Sequence, residues 1–142
     1  MNGQEGRFRA GHQVAGRYQV ARLIGAGQVG EVYDVRDITT GYAYALKLLK
    51  PEVTQNPDAW LALCTDSRKA SELKAEAIAK TYGFQTEPTL QVPYVLGEYV
   101  TSPSLHAIVS GQGPMGLAEF DAIMCQLAQA LDAAHQAGIV HR

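Results

Sequence analysis

Three glycines, Gly25, Gly27 and Gly30, sit between two stretches that each alternate as a β-strand does. Upstream, residues 18–24 alternate imperfectly, in the manner of a half-buried strand. Downstream, residues 31–36 put Val32 and Asp34 on one face and Tyr33 and Val35 on the other. A G-x-G-x-x-G run alone fits three structures: a flap over phosphates, a dinucleotide-binding fold, or a tight structural turn. In a dinucleotide fold the third glycine opens a helix whose N-terminus holds the pyrophosphate. Here the residues after Gly30 read as a strand, which favours strand, loop, strand. Glycine lets the backbone of such a flap approach a ligand closely with its N–H groups.

More strands follow at short spacing. Residues 37–41 form a polar turn, and residues 42–49 make a third strand that carries Lys47. Residues 78–84 and 94–100 read as two more, around a loop at 85–91. Strands this close in sequence favour an antiparallel meander. Between the third and fourth, Asn56, Pro57 and Asp58 announce a helix to about residue 74. Asn is a good N-cap, Pro suits the first helical position, and Asp favours the positive helix end. A last helix shows Phe120, Ile123, Met124, Leu127, Ala130, Leu131 and Ala134 at spacings of three and four, with Gly138 as its left-handed C-cap.

The helix after Pro57 carries a carboxylate on an unexpected face. Ala59, Ala62, Leu63, Asp66, Ala70 and Leu73 share one side at helical spacing. That side is expected to pack on the sheet. An unpaired carboxylate buried there costs several kcal/mol, so a partner is expected, and Lys47 is the natural candidate. The alternative is a solvated Asp66, with Lys47 meeting only phosphate. Glu72 points away from this face.

Composition limits the partners. The chain is 46% hydrophobic and 18% charged, with a net charge of −2, so it reads as a soluble globular domain with no reason to expect nucleic acid or an anionic membrane. No stretch reaches the roughly 18 apolar residues of a membrane span. Cys64 and Cys125 lie in apolar helical patterns and read as reduced core thiols of a cytoplasmic protein. Residues 1–15 read as a loose leader, and His12 within them carries no signal. There is no HxxxH or CxxC pattern, so no protein metal site is expected.

Several motifs in order resemble protein kinases. The flap resembles their G-x-G-x-x-G-x-V loop, with Val32 as the final valine, and Ala45, Leu46 and Lys47 resemble their V-A-I-K strand. The residues from Gly138 through His141 and Arg142 resemble the first half of the catalytic-loop motif. The resemblance runs from about residue 18 to 142 and is nearest the bacterial eukaryotic-like Ser/Thr kinases. It implies an α+β fold: a five-stranded antiparallel sheet with one main helix, then the first helices of a second lobe. Residues 16–100 would form the first lobe, and 101–142 the hinge and the start of the second.

The resemblance also assigns roles. Ile24, Gly25, Ala26, Gly27, Gln28, Val29 and Gly30 would cover the phosphates of ATP. Lys47 would hold the α and β phosphates, and Asp66 would hold Lys47 where the family has glutamate. Val32, Ala45 and either Leu23 or Ile24 would flank adenine, whose edge would meet the Glu98 carbonyl and the Val100 N–H. Ser104 would face the ribose, with Leu105 opening a short helix. Gly97 stands at the gatekeeper position and implies open space behind adenine, unless Met124 fills it. His135 would be a structural ring, His141 a brace of the catalytic loop, and Arg142 a partner for a phosphorylated activation loop.

The implied function is ATP binding within a kinase that phosphorylates Ser or Thr of a protein substrate, with Mg2+ entering through ATP. The base and the metal ligands are expected beyond Arg142. This chain alone is therefore expected to bind nucleotide without transferring phosphate, and to self-associate through the exposed last helix. The alternative is a pseudokinase-like regulatory module that binds nucleotide or a partner.

Overall fold

The computed structural model describes residues 6–140. Six strands form one antiparallel sheet: β1 (Gln13–Val14), β2 (Tyr18–Ala26), β3 (Gly30–Asp37), β4 (Ala43–Leu49), β5 (Thr81–Glu87) and β6 (Val92–Glu98). Their order is β1-β2-β3-β4-β6-β5. Four helices accompany them: α1 (Pro51–Thr54), α2 (Pro57–Glu72), α3 (Leu105–Gln112) and α4 (Leu117–Gln136). The expected α+β lobe is therefore present, with a sixth, two-residue strand at one edge.

The core lies on one face of the sheet. Tyr33 and Val35 of β3, Leu46 and Leu48 of β4, and Tyr94 and Leu96 of β6 are all buried in a single cluster. Alternation places Val32, Ala45 and Lys47 on the opposite face. Residues 6–15 do not behave as the loose leader expected of them. Phe8 is 5% exposed and Val14 is 0% exposed, and both belong to the core. The Gly11 N–H donates to the Val20 carbonyl and the Val20 N–H to the His12 carbonyl, each at 2.8 Å. The physical reason is long-range: an aromatic ring and a β-branched residue cover apolar surface that β2 and β3 leave open.

Helix boundaries follow the local chemistry. The Asn56 side chain accepts from the Asp58 and Ala59 N–H groups, both at 3.1 Å, as a good N-cap does. Gly138 takes φ +69 after α4, and the Ile139 N–H reaches back to the Ala134 carbonyl at 2.9 Å. The packing of α2 departs from expectation. It buries no residue and meets the edge strand β5, where the Trp60 and Phe84 rings lie 5.3 Å apart. Half of its inner face is alanine (Ala59, Ala62 and Ala70), too short to close on the sheet. The two cysteines differ as well: Cys64 is half-buried, but Cys125 on α4 is exposed and is no core thiol. His135 is likewise exposed, since the α4 face that bears it is uncovered. Among the described residues no helix is long and apolar enough to cross a membrane.

An ion pair between a half-exposed arginine and a buried aspartate ties the residue before β2 to the end of β3. The Arg17 guanidinium lies 2.7 Å from the Asp37 carboxylate, whose side chain is fully buried. The Thr39 N–H donates to the other carboxylate oxygen at 2.8 Å. Arg17 holds the Asp37 carboxyl down to about 2, against the burial that would raise it. A depressed folded-state pKa stabilises the protein above the unfolded value of about 3.9, and that contribution disappears as pH falls towards 2. Asp37→Asn should lower Tm at pH 7 and should flatten the fall of Tm between about pH 4 and pH 2, measured by circular dichroism melts. An unchanged Tm at pH 7 would exclude Asp37 as a structural anchor.

Candidate functional site

Strand register assembles the exposed face of the sheet. Lys47 on β4 pairs with Val32 on β3 and with Val95 on β6, and Val32 pairs with Gly25 on β2. One row along, Ala45 pairs with Asp34 and with Gly97. Directly paired residues share a face. Gly25, Val32, Lys47, Ala45 and Gly97 therefore form two adjacent rows on the side away from the core.

The glycine loop joins β2 to β3 and runs directly into a strand. Its Gly27 N–H donates to the Gly30 carbonyl at 2.9 Å, and its Val29 carbonyl accepts from the Lys50 N–H at 3.0 Å. The three glycines have different reasons to be glycine. A Cβ on Gly30 would collide with the Leu48 carbonyl, so β3 and β4 approach too closely there for any side chain. A Cβ on Gly25 or Gly27 would meet nothing within 4 Å. The open space over these two residues suits a chain of phosphates.

Lys47 and Asp66 come to the walls of one cavity of about 440 Å³. The loop contributes Val29, and α2 contributes Ala59, Leu63, Asp66, Ser67 and Ala70. Val53 of α1 and Ile139 and Val140 complete the lining. The α2 face thus looks into a space shared with Lys47, and the sheet itself meets α2 only at its edge.

The remaining expected residues are not among those that line this cavity. Ile24 and Val100 are exposed, as are Ala26 and Gln28 on the loop. Glu98 ends β6, and its carboxylate accepts from the Lys80 N–H at 3.0 Å. Ser104 caps α3, its hydroxyl accepting from the Ala107 N–H at 3.2 Å. A Cβ on Gly97 would have only the Lys80 carbonyl at 3.3 Å and the Ala45 carbonyl at 3.9 Å as neighbours. Among the described residues, its two chain neighbours aside, no side chain, Met124 included, lies within 4 Å of that point. His141 and Arg142 lie outside the described residues.

Two contributors were not anticipated from the sequence. Lys50 borders the loop recess together with Ala26, Gly27 and Gln28. It directly precedes Pro51, and a proline at a first helical position was the available signal for α1 and for the turn that places Lys50. Arg22 donates to the Tyr99 hydroxyl at 2.9 Å and lies 3.5 Å from Asp34. That link joins β2 to the segment after β6 across 77 positions of sequence, and no local pattern announces it.

Residues 18–142 match the protein kinase domain family. The chain belongs to the protein kinase family. It is similar to the serine/threonine-protein kinase PknB of Mycobacterium tuberculosis, 31% identical over 128 residues, which is 89% of this chain and 20% of that protein. PrkC of Bacillus subtilis is 31% identical over 132 residues, covering 93% of the chain and 20% of PrkC. The chain spans about a fifth of the length of these curated relatives. A crystal structure of the Mycobacterium tuberculosis PknI kinase domain superposes with a TM-score of 0.79 at 26% identity, over 95% of this chain and 53% of that one. The kinase lobe recognised from the glycine loop and Lys47 is thereby shown, as is the likeness to bacterial Ser/Thr kinases.

The glycines separate experimentally. Gly30→Ala must displace the β4 backbone and is expected to cost about 1–3 kcal/mol. Gly27→Ala is expected to stay within about 0.5 kcal/mol of the parent. Urea unfolding of both variants decides this, and equal losses would contradict the close approach at Gly30.

Proposed function

We propose that the chain is the ATP-binding part of a protein serine/threonine kinase. The observation that carries this reading is the cavity shared by Lys47, Asp66 and the loop residue Val29. Lys47 engages the α and β phosphates beneath a loop with room at Gly25 and Gly27. Asp66 orients Lys47. Aspartate reaches about 1.3 Å less far than glutamate, and α2, which buries no residue, is free to move inward by that amount. Glu98 accepts from the adenine edge through its carbonyl, and Val100 donates through its N–H. Ser104 still has its O–H to offer a ribose, because a hydroxyl that accepts one bond keeps its donor.

ATP supplies the γ-phosphate that passes to a Ser or Thr hydroxyl of a protein substrate. Catalysis of this kind is chiefly positioning and charge stabilisation. Among the described residues no group of three His, Cys, Asp or Glu could hold a metal ion, and Mg2+ would enter with the phosphates of ATP. The substitution of Asp66 for glutamate favours a second reading, a regulatory module in which nucleotide binding is itself the function.

Calorimetric titration tests the assignment. The wild type should bind ATP more tightly than NAD. Lys47→Ala should weaken ATP binding about tenfold or more, the worth of a hydrogen bond to a charged group. Binding of adenosine, which lacks phosphate, should be unchanged. Tighter binding of NAD, or equal losses for ATP and adenosine, would overturn it. The gap at Gly97 adds a second measurement: an adenine-site ligand with a bulky substituent should bind the wild type more tightly than Gly97→Met. The exposure of Leu117 (77%) and Phe120 (45%) on α4 leads to a third, concentration-dependent association in sedimentation. A monomer at high concentration would contradict it.

A further inference from the structure

The glycine loop is held from behind by residues that precede the family-matched segment. Glu31 follows Gly30 directly, and its side chain shares the core-side face with Tyr33. The Tyr33 hydroxyl donates to Glu31 Oε2 in a short hydrogen bond. The same oxygen accepts from the Arg7 N–H at 2.9 Å. The Phe8 N–H donates to the Tyr33 hydroxyl at 3.0 Å, and the Phe8 ring packs 5.6 Å from the Tyr33 ring. Two successive backbone N–H groups thus close on one phenol–carboxylate pair. Gly6 completes the fit, since a Cβ there would strike the Tyr33 hydroxyl.

Four observations make this arrangement more than a packing detail. It sits at the root of the loop, where Glu31 pairs with Ala26 across the two strand ends. It lies on the face opposite Val32 and Lys47, so none of its groups touches the proposed ligand space. The matched family segment begins at residue 18, and residues 6–8 lie ahead of it. The two polar groups also depend on each other electrostatically. Burial pushes the Glu31 carboxyl up, but the Tyr33 hydroxyl and the Arg7 N–H hold it below its ordinary range. Burial and then Glu31 push the Tyr33 phenol up to about 12. Both groups therefore keep the protonation states that this bond needs across neutral pH.

We infer that residues 6–8 form a clasp on Glu31 and Tyr33 that sets the closure of the glycine loop and so selects for ligands that carry phosphate. Glu31 and Tyr33 are positioning residues: they act on the ligand only through the loop whose root they fix. A loop root free to rock spends less time with its N–H groups directed at a phosphate chain, whereas adenine and ribose contacts come from other strands. Loss of the clasp should therefore penalise ATP and spare adenosine.

The inference rests on the nucleotide-binding reading for its ligand consequence, and two measurements on the full 142-residue chain keep them separate. The first is hydrogen exchange without nucleotide. Tyr33→Phe and Glu31→Ala should each lower protection of the Gly27 and Lys50 amides, which bond within and to the loop, by about fivefold, the equivalent of one net hydrogen bond. Amides in the middle of β4 and β6 should keep theirs. The second is the ratio of ATP to adenosine affinity, which should fall about threefold or more in both variants, as for one weakened hydrogen bond. Glu31→Ala is the safeguard should Tyr33→Phe unsettle the core, because Glu31 is only half-buried.

Unchanged loop protection overturns the clasp, and so does an equal loss across the whole sheet, which would mark a merely structural role. A preserved ATP-to-adenosine ratio alongside reduced loop protection overturns the claim of phosphate selection. If the wild type binds neither ATP nor adenosine, the nucleotide reading and the phosphate selection built on it fall. The exchange measurement still decides the clasp.

Discussion

The pairing of β3 with β4 is the constraint on which the rest of the lobe hangs. It sets Val32 beside Lys47 and Asp34 beside Ala45, and it brings the Gly30 backbone against the Leu48 carbonyl. Strand side chains alternate, so a slip of one residue would turn Lys47 into the core and Leu46 or Leu48 out of it. The lack of a side chain at Gly30 helps to exclude such a slip. A glycine that reads as part of a phosphate loop therefore also fixes the register that presents the cation.

The two faces of the sheet are built to different standards. The core face is dense and aromatic: Tyr33 and Tyr94 are fully buried, and the Tyr94 hydroxyl donates to Gln85 at 2.6 Å. The centre of the other face carries Gly25, Val32, Ala45, Lys47 and Gly97, with Asp34 beside Ala45. Stability is thus concentrated away from the candidate site, and the elements around that site (the loop, α1 and α2) belong to the low-stability end of the molecule. That division suits a site that must open to admit a ligand and close around it.

Much of this was legible in the chain. The strand after Gly30 separated a flap from a dinucleotide fold because period-two alternation is a local signal. Asn56 and Gly138 marked helix ends because capping chemistry involves only neighbours in sequence. The kinase lobe and Lys47 on its third strand followed from motif order. What stayed hidden depends on distant partners. Phe8 reads as a stray aromatic until Tyr33, 25 positions away, is seen to receive its N–H. The Arg22 to Tyr99 link has no local signature. The inward packing expected of α2 rested on spacing alone, and spacing does not register that three of its facing residues are alanines. Cys125 misled for a related reason: an apolar stripe on α4 predicts a covered face, and Leu117, Phe120 and Leu127 are open to solvent.

The attachment of α2 has a mechanical meaning. Near its start one indole leans on Phe84, and near its end the Lys69 ammonium reaches the Gly138 carbonyl at 3.3 Å, at the turn that leads from α4 towards Ile139 and Val140. Asp66 lies between these two attachments and shares a cavity wall with Lys47. Any displacement of the helix would change the acid's distance from that ammonium and the space open to a ligand together.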